Sequence, residues 1–220
     1  MFITFEGIEG AGKSTAIAAV ADGLKRQGRR VLLTQEPGGC ALGRTLRSIL
    51  LDQKSVIASR AELFLFLADR AQHVAEVVRP ALEQGCVVLC DRYADSTLAY
   101  QGYARGLEPA ALRRLSAEAA GGLVPDLTLL LDLPVEEGLA RARRRNERLG
   151  TVSSGGRFDA ESLAFHAKVR GGFLAIACEE PERVKIVDAS RPPAEVQAQC
   201  LGHLETLLKG WSHDQATGSL

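Results

Sequence analysis

Gly7, Gly12, Lys13 and Ser14 satisfy the pattern G-x-x-x-x-G-K-[ST] within Phe5-Glu6-Gly7-Ile8-Glu9-Gly10-Ala11-Gly12-Lys13-Ser14-Thr15. Residues of these types at this spacing can hold a chain of phosphates. Glycines let the backbone curl so that successive N–H groups point inward at phosphate oxygens. A helix starting at Ser14 would add its unpaired N-terminal donors and the positive end of its dipole. The candidate cradle is therefore Gly7, Ile8, Glu9, Gly10, Ala11, Gly12, Lys13, Ser14 and Thr15. Lys13 would reach the outer phosphates and the Ser14 hydroxyl would ligate Mg²⁺. The bland alternative is a glycine turn that happens to precede a lysine. Context argues against it: Met1-Phe2-Ile3-Thr4-Phe5 reads as a short buried strand and Ser14 onward as a helix.

Asp91 ends another apolar run, the position from which a second acidic group reaches the Mg²⁺ shell. Capping of the next helix is the other reading. Arg92 follows directly, so a carboxylate for a metal and a guanidinium for a phosphate sit side by side. Arginine suits the second task because its planar fork donates bidentately and stays charged. Arg47, Arg70 and Arg92 all come from segments near the same strand ends, which favours anion binding over three solvated surface residues.

These groups must be positioned by an alternation of apolar strands and amphipathic helices. Strands are expected at 1–6, 30–35, 86–91, 127–132 and 183–187, and helices at 14–27, 41–51, 59–84, 108–121, 134–148, 160–178 and 193–209. The runs at 86–91 and 127–132 are apolar along most of their length, as in a parallel sheet covered on both faces. Pro80 is expected to kink the longest helix or end it early. Residues 149–157 are Gly/Ser-rich and flanked by arginines, which reads as a mobile loop. The segment after Trp211 is polar and reads as a frayed tail. In open α/β sheets ligands gather outside the carboxyl ends of the strands, so Gly7–Ser14, Glu36-Pro37-Gly38-Gly39 and Asp91-Arg92-Tyr93 are expected to face one crevice.

The chain has 220 residues, 46% of them hydrophobic, enough for one domain with a sizeable core. Lys+Arg and Asp+Glu both total 27, a balance that argues against a nucleic-acid or membrane-surface binder. The five cysteines, Cys40, Cys86, Cys90, Cys178 and Cys200, lack paired C-x-x-C spacing, and most lie in apolar runs. They read as reduced buried thiols of a cytoplasmic protein rather than disulfides or a zinc site. The N-terminus shows no signal peptide, and no apolar run is long enough to span a bilayer.

Together with the glycine loop, the segments Glu36-Pro37-Gly38-Gly39, Phe66-Leu67-Ala68-Asp69-Arg70, Asp91-Arg92-Tyr93 and Ser96-Thr97-Leu98-Ala99-Tyr100-Gln101-Gly102 resemble bacterial thymidylate kinase. Pro125-Asp126-Leu127-Thr128, Arg157-Phe158-Asp159 and Asp188-Ala189 continue the resemblance, which covers residues 1–209 in order. It implies a three-layer α/β P-loop NTPase fold with a five-stranded parallel sheet, a mobile lid around 146–160, and a disordered tail at 210–220. The implied reaction is transfer of the γ-phosphate of MgATP to dTMP, giving ADP and dTDP, by a cytoplasmic homodimer.

By the same resemblance Phe66 stacks on the thymine ring, although in an apolar helix it could equally be core. Arg70, Thr97 and Gln101 contact the base edge, and Gln101 has the donor–acceptor pair an imide needs. Arg47 and Arg92 grip the monophosphate. Glu9 accepts from the 3′-hydroxyl, Tyr100 packs near the sugar and disfavours ribose, and Glu36 joins the phosphate and metal network. Asp91 stands behind Ser14 at the metal.

Two departures from the family pattern matter. Gln35 stands where many members carry arginine, and the P-loop has no arginine between Gly7 and Lys13. The charge at the transferring group must then come from the lid, with Arg157 first and Arg148 second. Arg141, Arg143, Arg144 and Arg145 read as a solvated face of which one could stack on adenine, and His166 reads as a surface or packing residue. Two other functions stay open at this point: another nucleoside or nucleotide kinase, and an ATP-hydrolysing switch protein.

Overall fold

Phe2–Glu6 forms strand β1, and every residue of it is buried. A strand covered on both faces needs apolar or internally bonded side chains throughout. Thr4 meets that need by sharing a hydrogen bond with the Thr128 hydroxyl at 2.7 Å. The computed structural model describes residues 1–148 and 156–208. Residues 149–155 of the expected lid and the expected tail at 210–220 lie outside the described residues.

Four more strands join β1: β2 (Val31–Gln35), β3 (Val87–Asp91), β4 (Leu127–Asp132) and β5 (Val184–Asp188). All pairings are parallel, in the order β2-β3-β1-β4-β5. The parallel sheet therefore matches the expectation, with β5 displaced by one residue from the anticipated range. Leu33 on β2 and Ile186 on β5 are exposed, as edge strands allow. From β1 the chain runs to the β2 side, whereas from β3 it crosses over β1 to β4. The order thus reverses between β1 and β3, where the carboxyl ends open a crevice.

Helix α1 (Lys13–Arg26) packs on the sheet through Ala16, Ile17, Val20, Ala21 and Leu24, a stripe at helical spacing. Then come α2 (Ala41–Leu51), α3 (Ser59–His73), α4 (Arg79–Glu83), α5 (Ala94–Thr97), α6 (Pro109–Ala119), α7 (Val135–Arg148), α8 (Leu163–Glu179) and α9 (Pro193–Leu208). Pro80 does not end the long helical run early. A wider π-helical turn, Val74–Val78, joins α3 to α4, and Pro80 sits in the first turn of α4. There its missing N–H removes less hydrogen bonding than in a helix interior. A second π-helical segment, Leu98–Ala104, continues from α5 and was absent from the expected helices. It packs against α8 so closely that a Cβ on Gly172 would lie 2.8 Å from the Tyr103 ring. Of the five free cysteines, Cys40, Cys90 and Cys200 are buried as expected, but Cys178 is exposed.

Candidate active site

Leaving β1, the chain turns back through Gly7, Gly10 and Gly12 with φ of 138°, 74° and 88°. Side chains are excluded there by contact as well as by conformation. A Cβ on Gly10 would lie 1.9 Å from the Gly138 carbonyl oxygen of α7. Lys13 opens α1, and its buried Nζ donates to the carbonyls of Gly7 and Ile8 at 3.1 Å each, tying the loop shut. Burial and the neighbouring Arg92 lower its pKa to about 8, against the pull of Asp91, Glu9 and Glu6. No side chain caps the N-terminus of α1, where Ser14 and Thr15 are exposed. Uncapped donors with a cation beside them suit an anion.

Arg92, at the end of β3, has φ of 68°, a conformation that costs a non-glycine residue about 1–3 kcal/mol. Its guanidinium donates to the Gly7 carbonyl at 3.0 Å, to Ser96 Oγ at 3.1 Å and to Glu9 Oε1 at 3.1 Å. It also lies over the Tyr100 ring, 5.1 Å from its centre. Glu9 Oε1 accepts a second bond from the Tyr100 hydroxyl at 2.6 Å. Burial works to raise the Glu9 pKa, but His166, the charges of Arg92 and Lys13, and the Tyr100 bond hold it well below the usual carboxylate range. Next to Arg92, the buried Asp91 Oδ1 has no hydrogen-bond partner. An unspent carboxylate oxygen and the exposed Ser14 hydroxyl line the same cavity, a donor set that fits Mg²⁺. No group of three or more His, Cys, Asp or Glu among the described residues could hold a metal alone.

Across the crevice, Arg70 of α3 donates from Nε to Glu36 Oε2 at 2.9 Å and from Nη2 to Thr97 Oγ1 at 3.0 Å. The other Glu36 oxygen contacts His73 Nδ1 at 2.9 Å, so this buried carboxylate organises the wall. Arg47 of α2 donates to the Pro37 carbonyl at 2.7 Å, and burial lowers its pKa. Gln101 donates to the buried Glu62 at 2.8 Å. Phe66 is half-buried and faces Phe158 with ring centres 6.1 Å apart. One cavity of about 540 Å³ runs from the glycine loop to this wall, reaching Lys13, Arg47, Phe66, Arg92 and Gln101.

The thymidylate kinase family model matches residues 5–200 of the chain. The chain belongs to the thymidylate kinase family. It is 63% identical to the thymidylate kinase of Desulfovibrio desulfuricans, over 95% of this chain and 97% of that one. It is 56% identical to the thymidylate kinase of Solidesulfovibrio magneticus, over 94% of this chain and all of that one. Among solved structures, thymidylate kinase from Ehrlichia chaffeensis matches with a TM-score of 0.75 and 31% identity, covering 93% of this chain and 98% of that one.

In this member of the thymidylate kinase family, the cavity is lined by Glu9–Thr15, Glu36, Arg47, Phe66, Arg70, Asp91, Arg92, Thr97, Tyr100 and Gln101. Gly7 and Ile8 of the same loop do not line the cavity; their carbonyls accept from Lys13. Arg157 does not line the cavity. It donates to Glu62 and to the Leu50 carbonyl, while Arg141 and Arg145 of α7 reach the cavity wall. Arg148 is exposed at the end of α7. Glu36 is committed to Arg70 and His73 rather than pointing an idle oxygen at a metal. Glu62, Phe158 and His166 were not singled out as site residues. Glu62 sits in a sequence that reads as an ordinary helix face, and Phe158 entered only within the Arg157-Phe158-Asp159 segment of the resemblance. His166 is fully buried with Nδ1 3.2 Å from Glu9 Oε2, not at the surface.

Proposed function

We propose that this chain is a thymidylate kinase that transfers the γ-phosphate of MgATP to dTMP, giving ADP and dTDP. One observation carries the reading: the uncapped, lysine-bearing glycine loop shares one cavity with Arg92 and with Phe66, Arg70, Thr97 and Gln101. Residues 1–209 act as one kinase domain, with a lid at about 146–160. The five free thiols suit a cytoplasmic protein.

A 5′-phosphate oxygen of dTMP attacks the γ-phosphorus in line. The new P–O bond forms as the bond to the bridging oxygen breaks and its electron pair leaves with ADP. The acceptor is ionised at neutral pH, so positioning and charge neutralisation do the catalysis. Ser14 and Asp91 would hold Mg²⁺, which would supply positive charge to neutralise the phosphates. Arg92 and Arg47 align the monophosphate, Glu9 receives the 3′-hydroxyl, and Tyr100 crowds the 2′ position. Phe66 stacks on thymine while Arg70, Thr97 and Gln101 read its edge, and Glu36 holds Arg70 in place. Lys13 faces the transferring group, and the lid-side charge comes from Arg157 released from Glu62, with Arg145 beside it. Closure excludes water, which would otherwise be the acceptor.

A coupled ADP-release assay should show turnover that depends on dTMP; equal ATP consumption without an acceptor would sink the proposal. In the same assay, Arg157→Ala should lower kcat by roughly 10²-fold or more, the scale of losing a preorganised charge, with the KM for dTMP little changed. If Arg145→Ala does this and Arg157→Ala does not, the charge belongs to α7.

A further inference from the structure

His166, on the first turns of α8, is fully buried, and neither of its ring nitrogens has a hydrogen-bond partner. Glu9 Oε2 is also buried without a partner. The two orphans face each other, with His166 Nδ1 3.2 Å from Glu9 Oε2 but out of hydrogen-bond alignment. A buried acceptor or donor left unmade is costly, so a small turn of the carboxylate that aligns the pair is favoured. The other oxygen, Oε1, is already held by Tyr100 and Arg92. Helix α8 is well anchored for such a task. Phe165 and Phe173, which flank His166 on the same helix, both pack edge-on against the Tyr100 ring at 6.2 Å.

We propose that His166 is a positioning residue that donates to Glu9 Oε2 and so keeps Oε1 turned toward the sugar hydroxyl of the acceptor nucleotide. The inference rests on the reading of Glu9 as the 3′-hydroxyl acceptor. Without the imidazole, Arg92 and Lys13 compete for both carboxylate oxygens, and the site loses its preference for a substrate bearing that hydroxyl.

The experiment compares dTMP with 3′-deoxythymidine monophosphate in the parent, His166→Leu and His166→Asn. Asparagine places a donor where Nδ1 stands, whereas leucine fills similar space without one. His166→Leu should lower kcat/KM for dTMP about tenfold, mostly through KM, with the KM for ATP unchanged and discrimination against the deoxy analogue largely lost. His166→Asn should recover both within about threefold. Thermal unfolding reports whether each variant folds, and His166→Met replaces leucine if that one does not. Full discrimination in a folded donor-free variant overturns the role of His166 while leaving that of Glu9 intact. A parent that does not discriminate at all overturns the reading of Glu9, and this proposal with it.

Discussion

Asp69 shows what a single buried carboxylate does to this site. Its Oδ1 accepts from the Gly38 amide at 2.9 Å, fixing the loop after β2, but its buried Oδ2 has no partner. Burial, then the charge of Glu36, raise its pKa to about 6. The unfolded chain releases this proton near the ordinary value of 3.8, so between there and about pH 6 the folded state binds more protons. Stability from this group therefore falls as pH rises through that window. Asp69→Asn keeps the acceptor for Gly38 and removes the charge. It should raise Tm at neutral pH by about 2–4 °C, the shift made by ~1 kcal/mol in a chain of this size, and the gain should vanish near pH 4. Thermal unfolding of both proteins at the two pH values decides it. A lower Tm for the variant at neutral pH would refute the argument.

At the scale of elements, the glycine loop is clamped between β1 and α7. A Cβ on Gly138 would lie 2.7 Å from the Glu9 carbonyl oxygen and 2.9 Å from Ile8 Cδ1, so helix and loop touch backbone to backbone. Gly138→Ala must shift one of them. It should cost about 1–3 kcal/mol, as overpacking does, and should raise the KM for both substrates, because the loop serves both. Denaturant unfolding and steady-state kinetics read the two effects; unchanged kinetics in a destabilised variant would show that the loop does not need this seat. The segment that begins at Gly156 is also held by backbone. Arg157 N–H donates to the Leu51 carbonyl at 3.0 Å, and Phe158 packs edge-on against Tyr100 at 5.4 Å. Phe158 is therefore in contact with the Tyr100 side of the cavity.

At the scale of the molecule, α2 and α3 pack together yet leave Leu42, Ile49 and Phe64 exposed, Phe64 by 57%. Large apolar side chains concentrated on neighbouring helices mark an interaction surface. If the chain pairs with a second copy, as proposed from the family resemblance, this surface would place the interface on the helix that carries Phe66 and Arg70. Phe64→Glu should convert a dimeric parent to monomer in light scattering while retaining the secondary structure. A parent that is itself monomeric would remove the assignment. No helix among the described residues is long and apolar enough to cross a membrane.

What the sequence determined by itself was local. The glycine loop, the Asp91-Arg92 strand end and the buried strands are set by consecutive residues, through backbone freedom and apolar runs, and so were legible at once. The same logic read β1 to β5 and most helices to within a few residues. Tertiary structure alone decided the partners. That Glu62 receives Gln101 and Arg157, that Glu36 is divided between Arg70 and His73, and that His166 stands behind Glu9 all depend on which helices dock together. The π-helical segment Leu98–Ala104 belongs to the same class, since packing on α8 outweighs local propensity there. A charged or imidazole side chain carries no mark in the sequence of the group it will face, because that choice is made by burial.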